Sequence, residues 1–333
     1  MTVFNTPEGT EMHDGKKMTF GIILAVVFFI SAPFFSGGYW TKVLTSVFMF
    51  GITAEALNII AGYTGYAAFG NVGFFGLGAY AVGVLMTKVN FPFIPAMLIG
   101  GVIAALFAAI LGLPILRLKG HYFAIATVGI SEFTREIVYN WPSLTGGGDG
   151  LTMPIIQRSP EWLNFYFYYL TLIVLAICTA CVWLVSRSRF GYTLRAIRGN
   201  EDAAMTMGIN TRNYKVLAWA ISAFFTALAG GIYAYWFTYI EPGAVFDLFI
   251  SVKMWVMLLL GGGMTVLGPL VGAFLFEILS EIIWGEFLFI HAAVLGVVII
   301  LIVLFMPQGF MKLIRQRISL ATFLANIREN RVT

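Results

Sequence analysis

Few residues in this chain have the types and spacing that chemistry requires. Cys178 and Cys181 lie one helical turn apart in the apolar run "YLTLIVLAICTACVWLV". A C-x-x-C pair does redox or metal chemistry only with polar partners and access. No further cysteine or nearby histidine completes a ligand set, so the two read as small apolar helix residues. His13, His121 and His291 are scattered, without H-E-x-x-H or H-x-E spacing, and metal catalysis has nothing to stand on. The G-x-S-x-G elbow of acyl-transfer enzymes is missing. The sole Gly-Lys, Gly15-Lys16, has no glycine at the position a P-loop needs. Near-matches to G-x-G-x-x-G around Gly76 and Gly78 lack a preceding strand. The expectation is a chain with no catalytic residues, no metal and no cofactor of its own.

What remains is ionisable residues inside apolar runs, where charge is costly and usually functional. Glu55 lies in one such run, and "SEFTREIVYN" places Glu132, Arg135 and Glu136 in another. Glu132 and Arg135, at i and i+3, share a helix face. They read either as a helix-stabilising pair near one interface or as the lining of a polar passage. Glu277 and Glu281, at i and i+4, repel unless one faces water or a partner, so their helix is a candidate water-lined surface or subunit contact.

The elements that hold these residues are membrane helices. The 333 residues are 59% hydrophobic and only 11% charged, with mean hydropathy +0.88. A soluble domain carries roughly 25% charged residues, so this chain lacks the polar surface for a water-facing globule. A membrane helix needs ~20 apolar residues. Apolar runs predict an all-α, polytopic transmembrane bundle of about ten helices, near 19–36, 40–61, 66–87, 93–116, 119–140, 164–186, 214–238, 251–263, 268–284 and 287–306. The polar residues 1–18 read as a cytoplasmic tail before an uncleaved first helix, since "SAPFFSGG" is a poor cleavage site. Residues 19–310 form the membrane domain and 311–333 a second cytoplasmic tail. With both termini inside, 15 of the 20 Lys and Arg fall on the cytoplasmic side, as the positive-inside rule asks.

Two segments, "AGYTGYAAFGNVGFFGLGAY" (61–80) and "LGGGMTVLGPLVGAFLFEI" (260–278), each run helix, Gly-rich turn, helix. Their glycines allow close helix packing; alternatively the segments are broken helices lining a passage. On the second reading Tyr63, Gly65, Asn71, Phe74, Gly261 and Gly262 are candidates for a translocation path. The outer loop 140–162 is longer than a connector needs. It is either a flexible link or a docking surface, with Thr145, Gly146, Gly147 and Asp149 as its candidates.

The loop 187–213 holds the most specific signal. "GNEDAAMTMGIN" reads as a short helix with Asn200 as N-cap, Glu201 and Asp202 in the first turn, and Gly208 as the stop. Met205 and Met207 leave adaptable apolar side chains on a polar element. Two turns are marginal alone in water, so the helix packs on its own bundle or on a separate subunit.

"DAAMTMG" (202–208) fits the E/D-A-A-x-x-x-G signature of ABC importer permeases. "SRFGYTLRAIRGNEDAAMTMGINTRNYKVLAWAISAFFTALAGGIYA" (188–234) resembles the branched-chain amino acid permeases of the LivM type. So do "LNIIAGYTGYAAFGNVGFFGLGAYAVGVL" (57–85), "LRLKGHYFAIATVGISEFTREIVYNWPSLTGGGDGL" (116–151) and "MLLLGGGMTVLGPLVGAFL" (257–275). The chain departs from that pattern at Tyr66, where many relatives are polar, and at Gly70-Asn71, where they carry Gly-His. The resemblance implies a permease subunit of the bacterial inner membrane that pairs with a second, LivH-like permease. It implies two cytoplasmic ATPases that bind ATP and Mg, and a periplasmic substrate-binding protein. It also implies ATPase docking on a coupling helix, here Arg195, Arg198, Glu201, Asp202, Ala203, Ala204, Met205 and Gly208. Cargo would be branched-chain or related hydrophobic amino acids; the same architecture importing urea or short amides, and a self-sufficient secondary transporter, are the alternatives.

Overall fold

The computed structural model describes residues 27–35, 37–286, 296–297 and 300. The two expected tails and nearly all of the expected helix 287–306 lie outside the described residues. Residues 27–35 are helical. α1 (Gly38–Leu57) continues into a π turn, Asn58–Gly62. It is followed by α2 (Asn71–Lys88), α3 (Phe93–Ile115), α4 (His121–Tyr139) and the short α5 (Pro142–Thr145). Then come α6 (Pro160–Arg187), α7 (Arg189–Gly199), α8 (Glu201–Thr206) and α9 (Thr211–Phe237). α10 (Pro242–Val245), α11 (Leu248–Gly261) and α12 (Gly268–Glu286) complete the series.

Most helices form where sequence signals place them; the helix expected from 66 instead begins at Asn71, after a turn through residues 65–70. α6 starts at Ser159, whose hydroxyl accepts the Trp162 amide at 3.3 Å, with Pro160 and Glu161 in the first turn and Arg187 in the last; all suit the helix dipole and the orphan amides. Five stretches among the described residues are long and apolar enough to cross a membrane: Gly38–Gly62, Phe93–Ile115, Pro160–Arg187, Thr211–Phe237 and Pro242–Gly261. α2, α4 and α12 pack among them. The architecture is an all-α polytopic membrane protein.

α1 is the axis of the bundle, with α6, α9, α11 and α12 packed around it, and its second half is wholly buried. α2 and α9 cross at glycine. A Cβ on Gly78 would stand 2.1 Å from the Ala227 carbonyl oxygen, and one on Gly230 would stand 1.9 Å from that of Phe75. Backbone therefore meets backbone, the small-residue packing of membrane helices. α3 turns Leu98, Val102, Leu106 and Ile110 outward, an apolar face suited to lipid. A two-stranded antiparallel ribbon, β1 (Leu151–Thr152) with β2 (Tyr239–Ile240), pairs Leu151 with Ile240 and Thr152 with Tyr239. α6 and α9 each run between this ribbon and the α7–α8 loop, so the two lie at opposite ends of the bundle.

Candidate functional site

The α7–α8 loop is a built element. Ser188 caps α7 by accepting the Gly191 amide at 3.2 Å. Asn200 caps α8, its side-chain oxygen taking the Ala203 amide at 3.0 Å. At the other end the Gly208 amide donates to Met205 O and the Ile209 amide to Ala204 O, at 3.0 and 3.1 Å. This is a Schellman closure, which needs the left-handed backbone that Gly208 supplies at φ +83°.

One face of α8 is anchored. Lys215, in the second turn of α9, is 3% exposed at its side chain and donates to Glu201 Oε1 at 2.5 Å. It also donates to the Leu116 carbonyl at 2.9 Å and to the Tyr66 hydroxyl at 2.7 Å. Tyr66 donates in turn to Glu201 Oε2 at 2.5 Å, and Thr211 to Oε1 at 3.0 Å. The Glu201 carboxylate thus ties α8 to α9 and to the turn before α2, and Lys215 extends the tie to the end of α3. Burial pushes the Glu201 carboxyl upward, but the hydrogen bonds from Lys215, Tyr66 and Thr211 and the lysine charge outweigh it, holding it below the usual carboxylate range. A buried ion pair stands only when its remaining hydrogen-bonding capacity is met, as it is here. On the rim, Lys119 and Asp202 pair at 2.7 Å in solvent.

The second anchor is arginine on the π turn. The Tyr66 amide turns to the Thr64 hydroxyl at 3.3 Å rather than back to Gly62. The Gly62 carbonyl instead accepts from the Arg198 guanidinium. Gly65, at φ +76°, lets the Arg198 stem pass: a Cβ there would lie 3.2 Å from Arg198 Cγ. Arg195 donates to the Ser186 carbonyl, and its guanidinium sits 5.5 Å from the Tyr63 ring. The same π turn reaches the α11–α12 turn through Asn58, which accepts the Met264 amide at 3.0 Å and donates to Thr265 O at 2.9 Å.

The eight residues expected to contact an ATPase therefore divide. Arg195, Glu201 and Ala204 are buried or half-buried against the bundle, whereas Asp202, Ala203, Met205 and Gly208 are exposed. Arg198 is exposed along its length, but its guanidinium reaches the Gly62 carbonyl. Met207, 83% exposed, joins the outward group. The anchors Lys215, Tyr66 and Thr211 escape sequence reading because their distances from Glu201 follow no helical spacing. Tyr66 showed only as a departure from the family pattern.

The path candidates lie elsewhere. Tyr63, Asn71, Phe74, Gly261 and Gly262 are buried in this conformation, and only Gly65 is exposed. The Asn71 amide is satisfied by Ser222 at 2.9 Å and Trp219 at 3.2 Å, and Phe74 packs edge-on to Trp219. Glu55 is fully buried, its carboxylate without a hydrogen-bond partner among the described residues. Glu277 faces inward to Lys253, 3.7 Å away, and accepts from Ser46 at 3.2 Å, while Glu281 accepts from Tyr39. Cys178 is buried in α6 against the Ile52 carbonyl.

At the opposite end the loop 140–162 is folded back on the bundle. The buried Thr145 hydroxyl donates to Val138 O at 2.6 Å and to Trp141 O at 2.7 Å. Gly146 and Gly147 have φ of +76° and +60°. The Tyr239 hydroxyl donates to Asp149 O at 3.1 Å, and the Asp149 side chain is exposed.

Residues 39–305 match the profile of the family described as "Branched-chain amino acid transport system / permease component". The chain is 25% identical over 330 residues to the high-affinity branched-chain amino acid transport system permease protein LivM of Escherichia coli K12, covering 91% of this chain and 77% of the relative. A probable branched-chain amino acid transport permease protein LivM of Methanocaldococcus jannaschii is 27% identical, covering 54% of this chain and 51% of its own. The autoinducer 2 import system permease protein LsrC of Photorhabdus laumondii is 27% identical, covering 53% and 54%. No solved structure matches. With a family match spanning most of its length and a bundle of apolar helices beneath it, this chain is a multi-pass inner-membrane protein that belongs to the branched-chain amino acid transport system permease family.

Proposed function

We propose that this chain is the transmembrane permease subunit of an ATP-binding-cassette importer for branched-chain or related hydrophobic amino acids. Separate ATPases dock on α8 and supply the energy, with ATP and Mg held in those partners. The observation that carries this reading is the division of α8. Its inner face is fixed to the bundle by Glu201 and Ala204, the preceding α7 is tied to the π turn by Arg198, and its outer face with the residue after it presents Ala203, Met205 and Met207 to solvent. A rigid tether with an adaptable apolar outer face transmits a push; a mere connector requires neither. On this reading the basic α7–α8 loop faces the cytoplasm and the β-ribbon end faces outward. There the folded loop around Thr145, Gly146, Gly147 and Asp149 is the docking surface for a periplasmic binding protein. A second, LivH-like permease completes the path.

The test is uptake of radiolabelled leucine by cells carrying the whole importer with Ala203→Trp in this chain. The expected result is normal membrane insertion and ATPase activity, with uptake lost. Normal uptake would overturn the docking role of α8. Uptake by the purified chain alone in liposomes would establish a self-sufficient carrier instead. Binding of leucine, urea and short amides to the cognate binding protein decides the cargo.

A further inference from the structure

α4 differs from the other peripheral helix. Phe123, Thr127, Ile130, Ser131, Thr134 and Val138 form its buried face, set against α2 where Gly70 and Gly73 admit the backbone of Thr127 and Ser131. The opposite face carries Ile125, Gly129, Glu132 and Glu136, spaced four, three and four, the seam of one helix facing another. Gly129 is open: a Cβ there would meet nothing within 4 Å. Arg135 flanks the seam, with Nη2 2.8 Å from Glu132 and 3.5 Å from Glu136.

The cluster runs inward from the end of the helix: Glu136 stands in the last turn, where the Asn140 side-chain amide donates to its Oε2 at 3.2 Å, and Glu132 stands one turn deeper. Exposed Tyr139 and Trp141 mark the outer interface, and Glu132 lies seven residues further in, about 10 Å along the axis. Charged side chains directed into hydrocarbon there are costly, and such residues face a bundle interior or a watered cavity. On α3 the exposed face is apolar throughout its middle, as lipid requires. The α4 face is therefore covered by something polar. Glu132 and Glu136 outnumber Arg135, and the Arg135 atoms Nη1 and Nε have no partner among the described residues. The cluster offers carboxylates to a cation and a free guanidinium edge to an anion a few ångströms away.

We propose that this face of α4 is a wall of the translocation path, closed from the other side by the second permease, and that Glu132, Arg135 and Glu136 form a contact site for the zwitterionic head of the amino acid. The glutamates take its ammonium and Arg135 its carboxylate, the bidentate partner a guanidinium suits best. The site rests on the importer reading above and goes beyond it by naming the wall and the residues.

The test uses intact cells carrying the complete importer, with Cys178 and Cys181 changed to alanine and one cysteine returned, as Gly129→Cys or as Leu106→Cys on the lipid-type face of α3. A membrane-impermeant cationic methanethiosulfonate reacts only with a thiol that water can ionise. The expected result is labelling at 129 at least about tenfold faster than at 106, slowed several-fold by saturating leucine. Equal, slow labelling at both positions overturns the wall. Fast labelling that leucine does not slow overturns the contact site. Leucine uptake by the same strains before labelling checks the importer reading separately, so its failure is distinguishable. If the double alanine background does not fold, the native cysteines stay and labelling is read peptide by peptide. Glu132→Gln gives a second measure: a raised KM for uptake with unchanged protein in the membrane supports the site, and an unchanged KM opposes it.

Discussion

Glu201 and Lys215 meet at 2.5 Å in a nearly solvent-free pocket, fourteen residues apart in sequence and on different helices. The pair joins the short helix α8 to the long helix α9, so displacement of one is felt by the other. Breaking a buried pair by removing one partner costs roughly 3–5 kcal/mol, because the other charge is stranded. Lys215→Ala is expected to lower the thermal midpoint of the detergent-solubilised protein and to abolish coupled uptake. The paired change Glu201→Gln with Lys215→Met recovers much of the stability and little of the uptake. Equal stability of Lys215→Ala and the parent would refute the anchor.

The same carboxylate sets a pH dependence. Its folded value lies below the usual range, so its stabilisation is complete above the unfolded-state value of about 4.3. It is lost as pH falls through the lower folded value. Unfolding midpoints measured from pH 7 down to 3 are expected to fall more steeply for the parent than for Glu201→Gln. Parallel curves would contradict this.

The α8 caps are separable from its anchor. Asn200→Ala removes the acceptor for the Ala203 amide and is expected to cost ~1 kcal/mol. Gly208→Val forces a β-branched residue to φ +83°, for roughly 1–3 kcal/mol. Hydrogen exchange across residues 200–209 reads both, and the effect should stay local.

Glycine contact between α2 and α9 is predicted to be intolerant. Gly78→Val places side-chain atoms where the Ala227 backbone already stands, and the helices must part. The expected outcome is loss of folded protein from the membrane on size-exclusion chromatography. Gly129→Val, facing open space, keeps the fold.

Much of this protein is written locally. The apolar runs alone locate the main helices to within a few residues, since a span is recognised by length and hydropathy. The α8 motif is equally legible: the Asn200 cap, the acids of the first turn and the Gly208 stop act through neighbouring backbone, so their spacing is their mechanism. What α8 rests on is another matter. That Glu201 points inward while Ala203 and Met205 point out, and that the Arg198 guanidinium of the preceding α7 bends to the bundle, depends on Lys215, Tyr66 and Gly62, brought in from elsewhere in the chain. No periodicity links positions 62 and 66 to 201 and 215. Likewise, glycine-rich residues 61–80 and 260–278 admit both tight packing and a passage by sequence. Packing alone buries Tyr63, Asn71 and Phe74 and leaves the charges of α4 facing outward. Local hydrogen bonding and hydropathy determine the elements; which faces meet is decided by long-range burial, which only the assembled bundle defines.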